Sequence, residues 1–279
     1  MAYETEISRA NPTCFIFILD QSGSMADSFG GGEIAQSKAA FLADVTNKTL
    51  HDLVLRCAAT EEIRNYYHVA VVGYGGTVGS AFAGSLIGKD LIPISDVANS
   101  PARVEQRIKK IPDGAGGLVD QTVKFPTWID PKSNGGTPMC AALQHAHGLL
   151  SKWVSEHRSG FPPTVLHITD GESSDGDPAE IGKSIQSLAT SDGTVLFFNC
   201  HVSSQRAANI LYPDSADSLP NDYAKTLFNI SSLMPDAFRK TANDIGVNVR
   251  ENSRAFVFNA DPASVTQFFQ IGTRPANLR

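Results

Sequence analysis

Short apolar runs alternate along the chain with segments whose apolar residues recur at helical spacing. The runs cover residues 14–20, 67–73, 164–170, 194–201 and 255–259. The clearest helical stripe consists of Met139, Leu143, Ala146, Leu150 and Trp153. Strands that are apolar throughout, separated by helices, are typical of a mostly parallel sheet that is covered on both faces. The pattern therefore predicts a doubly wound, Rossmann-like α/β fold.

The weaker segments complete this prediction. Further helices are expected near residues 102–111, 179–189, 223–245 and 262–269. Residues 82–92 follow a strand after only a glycine-rich turn, which is too short for a parallel crossover, so they predict one antiparallel edge strand. Residues 112–134 are rich in Gly, Pro and Asp and predict a loop or hairpin insertion. We expect one domain over residues 1–279, with a core from about 13 to 270.

Composition and charge narrow the classes of partner. The chain has 279 residues, of which 42% are hydrophobic, and a formal net charge of -6. An acidic surface argues against nucleic acid or an anionic membrane as the main partner, because both require positive charge. The sequence shows no apolar stretch of ~18 residues and no signal-peptide pattern at its start, so we expect a cytoplasmic protein. The four cysteines are far apart and are expected to be reduced and mostly buried.

Carboxylate and hydroxyl oxygens stand at the ends of two predicted strands and at the start of a helix. Asp20 ends the first run and Ser22 and Ser24 follow it, Asp170 ends the third, and Thr137 precedes the helix that begins near Pro138. Ligands of open α/β sheets bind beyond the carboxyl ends of the strands, where these residues are expected to lie. Such hard oxygens suit Mg²⁺ or Mn²⁺.

The three segments, in this order, resemble the metal-ion-dependent adhesion site of von Willebrand factor A (VWA) domains, whose pattern is Asp-x-Ser-x-Ser, a distant Thr and a distant Asp. The resemblance implies a VWA fold and a metal held by Asp20, Ser22, Ser24, Thr137 and Asp170. It also implies a protein partner whose Asp or Glu completes the coordination. A stand-alone domain of this kind is similar to bacterial cytoplasmic scaffolds in stress-response or tellurium-resistance systems with kinases and phosphatases.

Local geometry adds further expectations for the site. If the backbone stays extended after Asp20, the hydroxyls of Ser22 and Ser24 point the same way. Pro138 suits the first position of a helix, which predicts Thr137 as its N-cap. Mg²⁺ or Mn²⁺ is preferred to Ca²⁺ as the bound ion. The acidic residues of the 171–177 segment favour a solvated loop over a second ion site, and Met25 is either a rim contact or packed under its own loop.

Alternative functions remain at this point. A metal-dependent hydrolase acting on phosphoryl groups would use the same ion to polarise a phosphate. A dehalogenase-type phosphatase needs an aspartate where the chain has Ser22, and a serine hydrolase needs Gly-x-Ser-x-Gly, which neither Ser22 nor Ser24 has. A third possibility is assembly into a larger complex, with a metal that only stabilises the fold. We therefore expect a non-enzymatic binding module of unknown oligomeric state.

Overall fold

The computed structural model describes residues 3–29, 36–60, 62–112, 117–203 and 208–274. Within these ranges the strands are β1 Thr13–Asp20, β2 Tyr67–Tyr74, β3 Val78–Ser80, β4 Leu91–Pro93, β5 Arg103–Pro112, β6 Leu118–Thr127, β7 Thr164–Thr169, β8 Ala189–Thr190, β9 Gly193–Thr194, β10 Leu196–Val202, β11 Ile210–Leu211 and β12 Phe256–Ala260. The helices are α1 Lys38–Cys57, α2 Ile94–Asn99, α3 Met139–Glu156, α4 Ala179–Ser187, α5 Asp222–Asn229, α6 Asp236–Asp244 and α7 Pro262–Gly272. Among the described residues, no helix is both long enough and apolar enough to cross a bilayer.

A sheet of eight strands forms the centre of the described structure, in the order β11-β12-β10-β7-β1-β2-β3, with β4 also paired to β2. The strands β12, β10, β7, β1 and β2 run parallel to one another. Beyond β2 the edge is antiparallel and consists of β3 and β4, and the two-residue β11 is antiparallel at the opposite edge. The predicted α/β architecture with an antiparallel edge is confirmed. The edge does not run through residues 82–92 as one strand, because a 3-10 turn at Gly84–Leu86 separates β3 from β4.

The central strand β1 shows why the sheet is covered on both sides. Phe15, Phe17 and Leu19 point into a core that they share with α1 and α7. Cys14, Ile16 and Ile18 point into the opposite core, with α3, α4 and α5. Because side chains alternate along a strand, an unbroken apolar run buries both faces. The cysteines are free, and Cys14, Cys57 and Cys200 are buried, as the sequence predicted.

The prediction of a helix at residues 102–111 is wrong. This segment is β5, which pairs with β6 in a ten-residue antiparallel ladder from Arg103↔Thr127 to Pro112↔Leu118. Val104 and Ile108 have helical spacing, but both are exposed in the hairpin, so no core was available for a helical stripe. The cross-strand partner therefore decided the conformation. The predicted insertion is a hairpin that begins before residue 112, and residues 113–116 lie outside the described ranges.

The single helix predicted over residues 223–245 is also wrong, because two helices occupy this segment. Helix α5 ends at Asn229, and α6 begins at Asp236, directly after Pro235. A proline disfavours helical conformation in the residue before it and cannot donate a main-chain hydrogen bond, so a helix starts after it more readily than it passes through.

Candidate metal site

The carboxyl ends of β1 and β7 lie side by side at one edge of the sheet. Leu19 pairs with Ile168, so the next residues, Asp20 and Thr169, are neighbours, and Asp170 follows at once. The Thr169 hydroxyl donates to Asp20 Oδ2 at 2.9 Å, and the Asp170 N–H approaches the same oxygen at 3.5 Å. The parallel register thus brings the carboxylates of Asp20 and Asp170 to one place.

Ser22 and Ser24 lie at this place, although their backbone differs from the prediction. The Ser22 N–H donates to Asp20 Oδ1 at 2.8 Å, and the chain then enters a 3-10 turn, Gly23–Ala26, instead of staying extended. The two hydroxyls are still 3.1 Å apart, and the Ser24 hydroxyl donates to Asp170 Oδ1 at 2.7 Å. In the same turn, Met25 is fully buried, so it packs under its own loop and is no rim contact.

The segment that carries Thr137 is joined to both other segments. Its Thr137 N–H donates to the Ser174 hydroxyl at 3.0 Å, and the Ser174 N–H donates to the Thr137 carbonyl at 2.9 Å. Two main-chain hydrogen bonds link it to the loop after β1: Gly23 N–H to Gly135 O at 3.0 Å, and Asn134 N–H to Gln21 O at 2.8 Å. The three segments predicted to converge do meet at one edge of the sheet.

Thr137 does not cap helix α3, and this prediction is corrected. The helix begins at Met139, and Pro138 occupies the N-cap position without a side-chain hydrogen bond. The Asp175 carboxylate takes that role, because it accepts the N–H groups of Cys140 and Ala141, each at 2.9 Å. Burial raises the pKa of Asp175, but these hydrogen bonds outweigh it and hold the pKa below its ordinary value. Part of the acidic loop therefore supports α3.

Burial and charge oppose the ionised form of Asp20. The residue is 1% exposed, and its neighbour Ser22 is 2% exposed. Burial raises the pKa of Asp20; the hydrogen bonds from Ser22 oppose this, and the charge of Asp170 adds to the rise. A buried carboxylate with a second carboxylate beside it is stabilised by a cation. The electrostatics of the cluster thus favour a positively charged occupant.

Such a positive charge is already present in a residue that the sequence analysis missed. The Lys38 ammonium lies 2.5 Å from Asp170 Oδ2, and its side chain is 4% exposed, while the Asp170 side chain is completely buried. Lys38 is the first residue of α1 and lies 132 positions before Asp170 in the sequence. A lysine at a helix start has no recognised metal-site signal. The folded chain brings Lys38 here, where its main-chain N–H donates to the Asp27 carbonyl at 2.9 Å in the loop after β1.

A cavity of about 510 Å³ adjoins the cluster on the β10 side. Asp170, His201, Tyr223 and Phe258 are among its lining residues. The His201 ring stacks on Phe258 with centroids 4.5 Å apart. Burial lowers the pKa of His201 to about 4, so the imidazole is neutral at neutral pH. The cavity thus combines an aromatic wall, formed by His201, Tyr223 and Phe258, with the acidic residue Glu172 next to the metal-site cluster.

The donor set fits a hard divalent cation. Asp20 and Asp170 provide carboxylates, and Ser22 and Ser24 provide hydroxyls beside them. In the part of the chain that the structure describes, no three His, Cys, Asp or Glu residues cluster as a metal site. An ion here would therefore depend on hydroxyl oxygens as well as the two carboxylates, which suits Mg²⁺ or Mn²⁺ and offers no thiolate or imidazole for zinc.

The same contacts give little support to a serine nucleophile. The hydroxyls of Ser22 and Ser24 are hydrogen-bonded to each other, and the Ser24 hydroxyl also donates to Asp170. Among the described residues, neither hydroxyl has a histidine partner that would act as a general base. The two serines thus present their hydroxyl oxygens beside the Asp170 carboxylate.

The sequence matches no model of a protein family and no curated protein. Solved structures do resemble the fold. Proximal thread matrix protein 1 from the mussel byssus is 12% identical with a TM-score of 0.50, and the alignment covers 98% of this chain and 49% of that one. The chain thus spans about half the length of the byssus protein. At this identity the likeness concerns the fold alone.

Two further structures carry the von Willebrand designation in their names. The ArnB paralog VWA2 from Sulfolobus acidocaldarius is 11% identical, with a TM-score of 0.35 and coverage of 69% of this chain and 35% of that one. The vWF domain of the type V pili tip protein Mfa5 from Porphyromonas gingivalis is 14% identical, with a TM-score of 0.37 and coverage of 93% of each chain. These scores are too low to carry an argument. The α/β architecture is established by the topology of the sheet itself, and the adhesion-site assignment stays a prediction.

Proposed function

We propose that this chain is a non-enzymatic, divalent-cation-dependent protein-binding module. Asp20, Ser22, Ser24, Thr137 and Asp170 would hold Mg²⁺ or Mn²⁺, and an Asp or Glu of a partner protein would complete the coordination. The observation that supports this most directly is the hydrogen bond between Ser24 and Asp170, which joins the motif to a residue 146 positions away. Two carboxylates neutralise a dication, and hydroxyls add donors without charge, so the ion keeps affinity for an external carboxylate.

Metal binding tests the first half of the proposal. Asp20→Asn and Asp170→Asn each remove one negative charge and one donor, and we expect both to abolish the heat of MnCl₂ binding in isothermal titration calorimetry. Asp177→Asn makes the same chemical change in the nearby acidic loop and is expected to leave binding intact. Circular dichroism verifies that each variant is folded. Wild-type affinity in both Asp20→Asn and Asp170→Asn would refute the site.

Partner binding tests the second half. We expect a partner that is retained on the immobilised chain with MgCl₂ and released by chelator, and that is not retained by Asp20→Asn. Replacing the partner's acidic residues one at a time should identify a single Asp or Glu on which retention depends. Retention that is unaffected by chelator would contradict docking through the ion.

The resemblance supports a finer assignment within the same proposal. We place the chain among bacterial cytoplasmic scaffolds of the stress-response or tellurium-resistance type, so the expected partners include a kinase or phosphatase. The alternative, a metal-dependent phosphoryl hydrolase, is tested by turnover of p-nitrophenyl phosphate that stops on chelation. A metal that only stabilises the fold would lower the melting temperature on chelation and leave partner binding unchanged.

A further inference from the structure

The Lys38 ammonium is hydrogen-bonded to one carboxylate oxygen of Asp170, which is a proposed metal ligand. Asp170 Oδ2 accepts the Lys38 ammonium at 2.5 Å, and Asp170 Oδ1 accepts the Ser24 hydroxyl at 2.7 Å. Both partners of the ion pair are buried, with Lys38 4% exposed and the Asp170 side chain completely enclosed. This ion pair therefore differs from an exposed surface pair, because neither charge is screened by bulk water.

The position of Lys38 is not explained by the helix that carries it. Lys38 is the first residue of α1, and Ser37 caps the helix by accepting the Ala40 N–H at 3.2 Å. The partial positive charge at a helix N-terminus repels an ammonium group. The interaction that offsets this repulsion is the contact with Asp170, next to the buried Asp20. Lys38 is held by the acidic cluster.

A divalent ion and the ammonium compete for the same carboxylate. Asp20 and Asp170 together carry two negative charges, and the positive charge of Lys38 already reduces the net charge of the cluster to -1. A dication placed among the same oxygens repels an ammonium a few ångströms away, and low exposure makes this repulsion strong. An alternative acceptor is close, because Asp27 Oδ2 lies 3.7 Å from the Lys38 ammonium and its side chain is 63% exposed. The lysine thus has a short route from the cluster towards solvent.

We propose that Lys38 is the intrinsic cation of the site and that a divalent ion binds by displacing its ammonium from Asp170 towards Asp27. This inference rests on the metal site of the proposed function. Its consequence is that Lys38 lowers the affinity of the site for the ion and couples ion binding to a movement at the start of α1. Ions with a single charge gain too little to displace it, so the exchange favours dications.

Calorimetry with MnCl₂ on a lysine variant tests the exchange. Lys38→Met keeps the length of the side chain and removes its charge, and we expect it to bind Mn²⁺ at least about tenfold more tightly than the wild type. Lys48→Met is the matched control, since Lys48 is an exposed residue of the same helix, ~15 Å further along, and the variant has the same net charge. Its affinity should stay within about twofold of the wild type. Binding by Lys38→Met but not by the wild type would show that Lys38 excludes the ion and is not displaced by it, and would overturn the proposal.

Equal or weaker Mn²⁺ binding by Lys38→Met would overturn the inference, because Lys38 would then be neutral for the ion or would position Asp170 for it. Lys38→Gln is the second variant if Lys38→Met does not fold, since it retains a hydrogen-bond donor without charge. Loss of binding in Asp20→Asn together with unchanged binding in Lys38→Met would reject the exchange and leave the metal site standing. Wild-type binding in Asp20→Asn and Asp170→Asn would reject both.

A second measurement follows Lys38 in the unaltered protein. Acetylation with an N-hydroxysuccinimide ester, read by mass spectrometry, should modify Lys38 slowly in EDTA because its ammonium is buried. Saturating MgCl₂ should increase this rate, while the rate at Lys48 should not change. An unchanged or slower rate at Lys38 with bound ion would show that the ammonium stays on Asp170 and would overturn the proposal.

Discussion

Asn47 supports the segment that leads to Thr137, and its loss is expected to be costly. The side chain is 1% exposed in the third turn of α1. Its Oδ1 accepts the N–H groups of Trp128 at 2.8 Å and Ile129 at 3.1 Å, and its Nδ2 donates to the Ile129 carbonyl at 3.0 Å. Asn47→Ala therefore removes the partners of three main-chain groups in a buried segment.

The size of the effect follows from those three groups. A buried polar group that loses its partner costs about 1–3 kcal/mol, and water entering the space left by the amide recovers part of this. We expect Asn47→Ala to reduce the free energy of unfolding by about 3–5 kcal/mol, which is a large part of the 5–15 kcal/mol typical of a domain. Because the same segment continues to Thr137, the Mn²⁺ affinity should also fall.

Urea unfolding followed by tryptophan fluorescence measures this change, since the buried Trp128 is itself held by Asn47. The free energy of unfolding should fall with urea concentration at the same slope in the variant and the wild type, so that the shift of the midpoint reports the change in stability. Lys48→Ala, at the next and exposed position, is the control and should change stability by less than about 0.5 kcal/mol. A loss below about 1 kcal/mol in Asn47→Ala would show that the three hydrogen bonds are replaced by water at little cost.

Three further substitutions have defined outcomes. Asp175→Ala should uncap α3 and lower the free energy of unfolding, measured in urea titrations, by about 1 kcal/mol. The Asp175 pKa is lower in the folded state than in the unfolded state. The contribution of the carboxylate is therefore present above the unfolded pKa and is lost as the pH falls through the folded pKa. Gly135→Ala should weaken Mn²⁺ binding in calorimetry, because Gly135 has φ +77 and an added Cβ would lie 2.4 Å from the Gly76 nitrogen. Gly136→Ala is the control, since among the described residues its Cβ would meet only Ser174 within 4 Å. Gly182→Ala should cost about 1–3 kcal/mol in thermal melts, since its Cβ would lie 2.8 Å from three Ile230 side-chain atoms between α4 and α5; a change below about 0.5 kcal/mol would contradict this.

The strands of the central sheet were predictable because their burial is written in the sequence. A strand such as β1, which is buried on both faces, requires an unbroken apolar run, and few other structural elements require this pattern. β5 was not predictable in this way, because its apolar spacing suits a helix and its conformation depends on a partner strand supplied by later residues. Local pattern thus identifies the elements that make the core, and it fails where long-range pairing decides.

In the candidate site, too, the residues placed by local pattern were predictable and those placed by long-range packing were not. Asp20 and Asp170 were predictable because each follows or ends an apolar strand, and parallel strands bring their carboxyl ends together. The cap on α3 was assigned to Thr137, since adjacency in sequence hides a carboxylate that reaches the helix from another loop, as Asp175 does. Lys38 was missed for a similar reason, because its ammonium contacts Asp170, a residue 132 positions away that only the folded chain brings close.

The main-chain connection between the loop after β1 and the loop before α3 has a consequence for how the sequence of these loops can vary. Its two hydrogen bonds, between Gly23 and Gly135 and between Gln21 and Asn134, run from peptide to peptide. They do not depend on the chemical identity of side chains such as Gln21 and Asn134. Replacement of those side chains can therefore change the surface around the cluster while the main-chain frame persists, so selection or laboratory evolution can vary that surface separately from the proposed metal ligands.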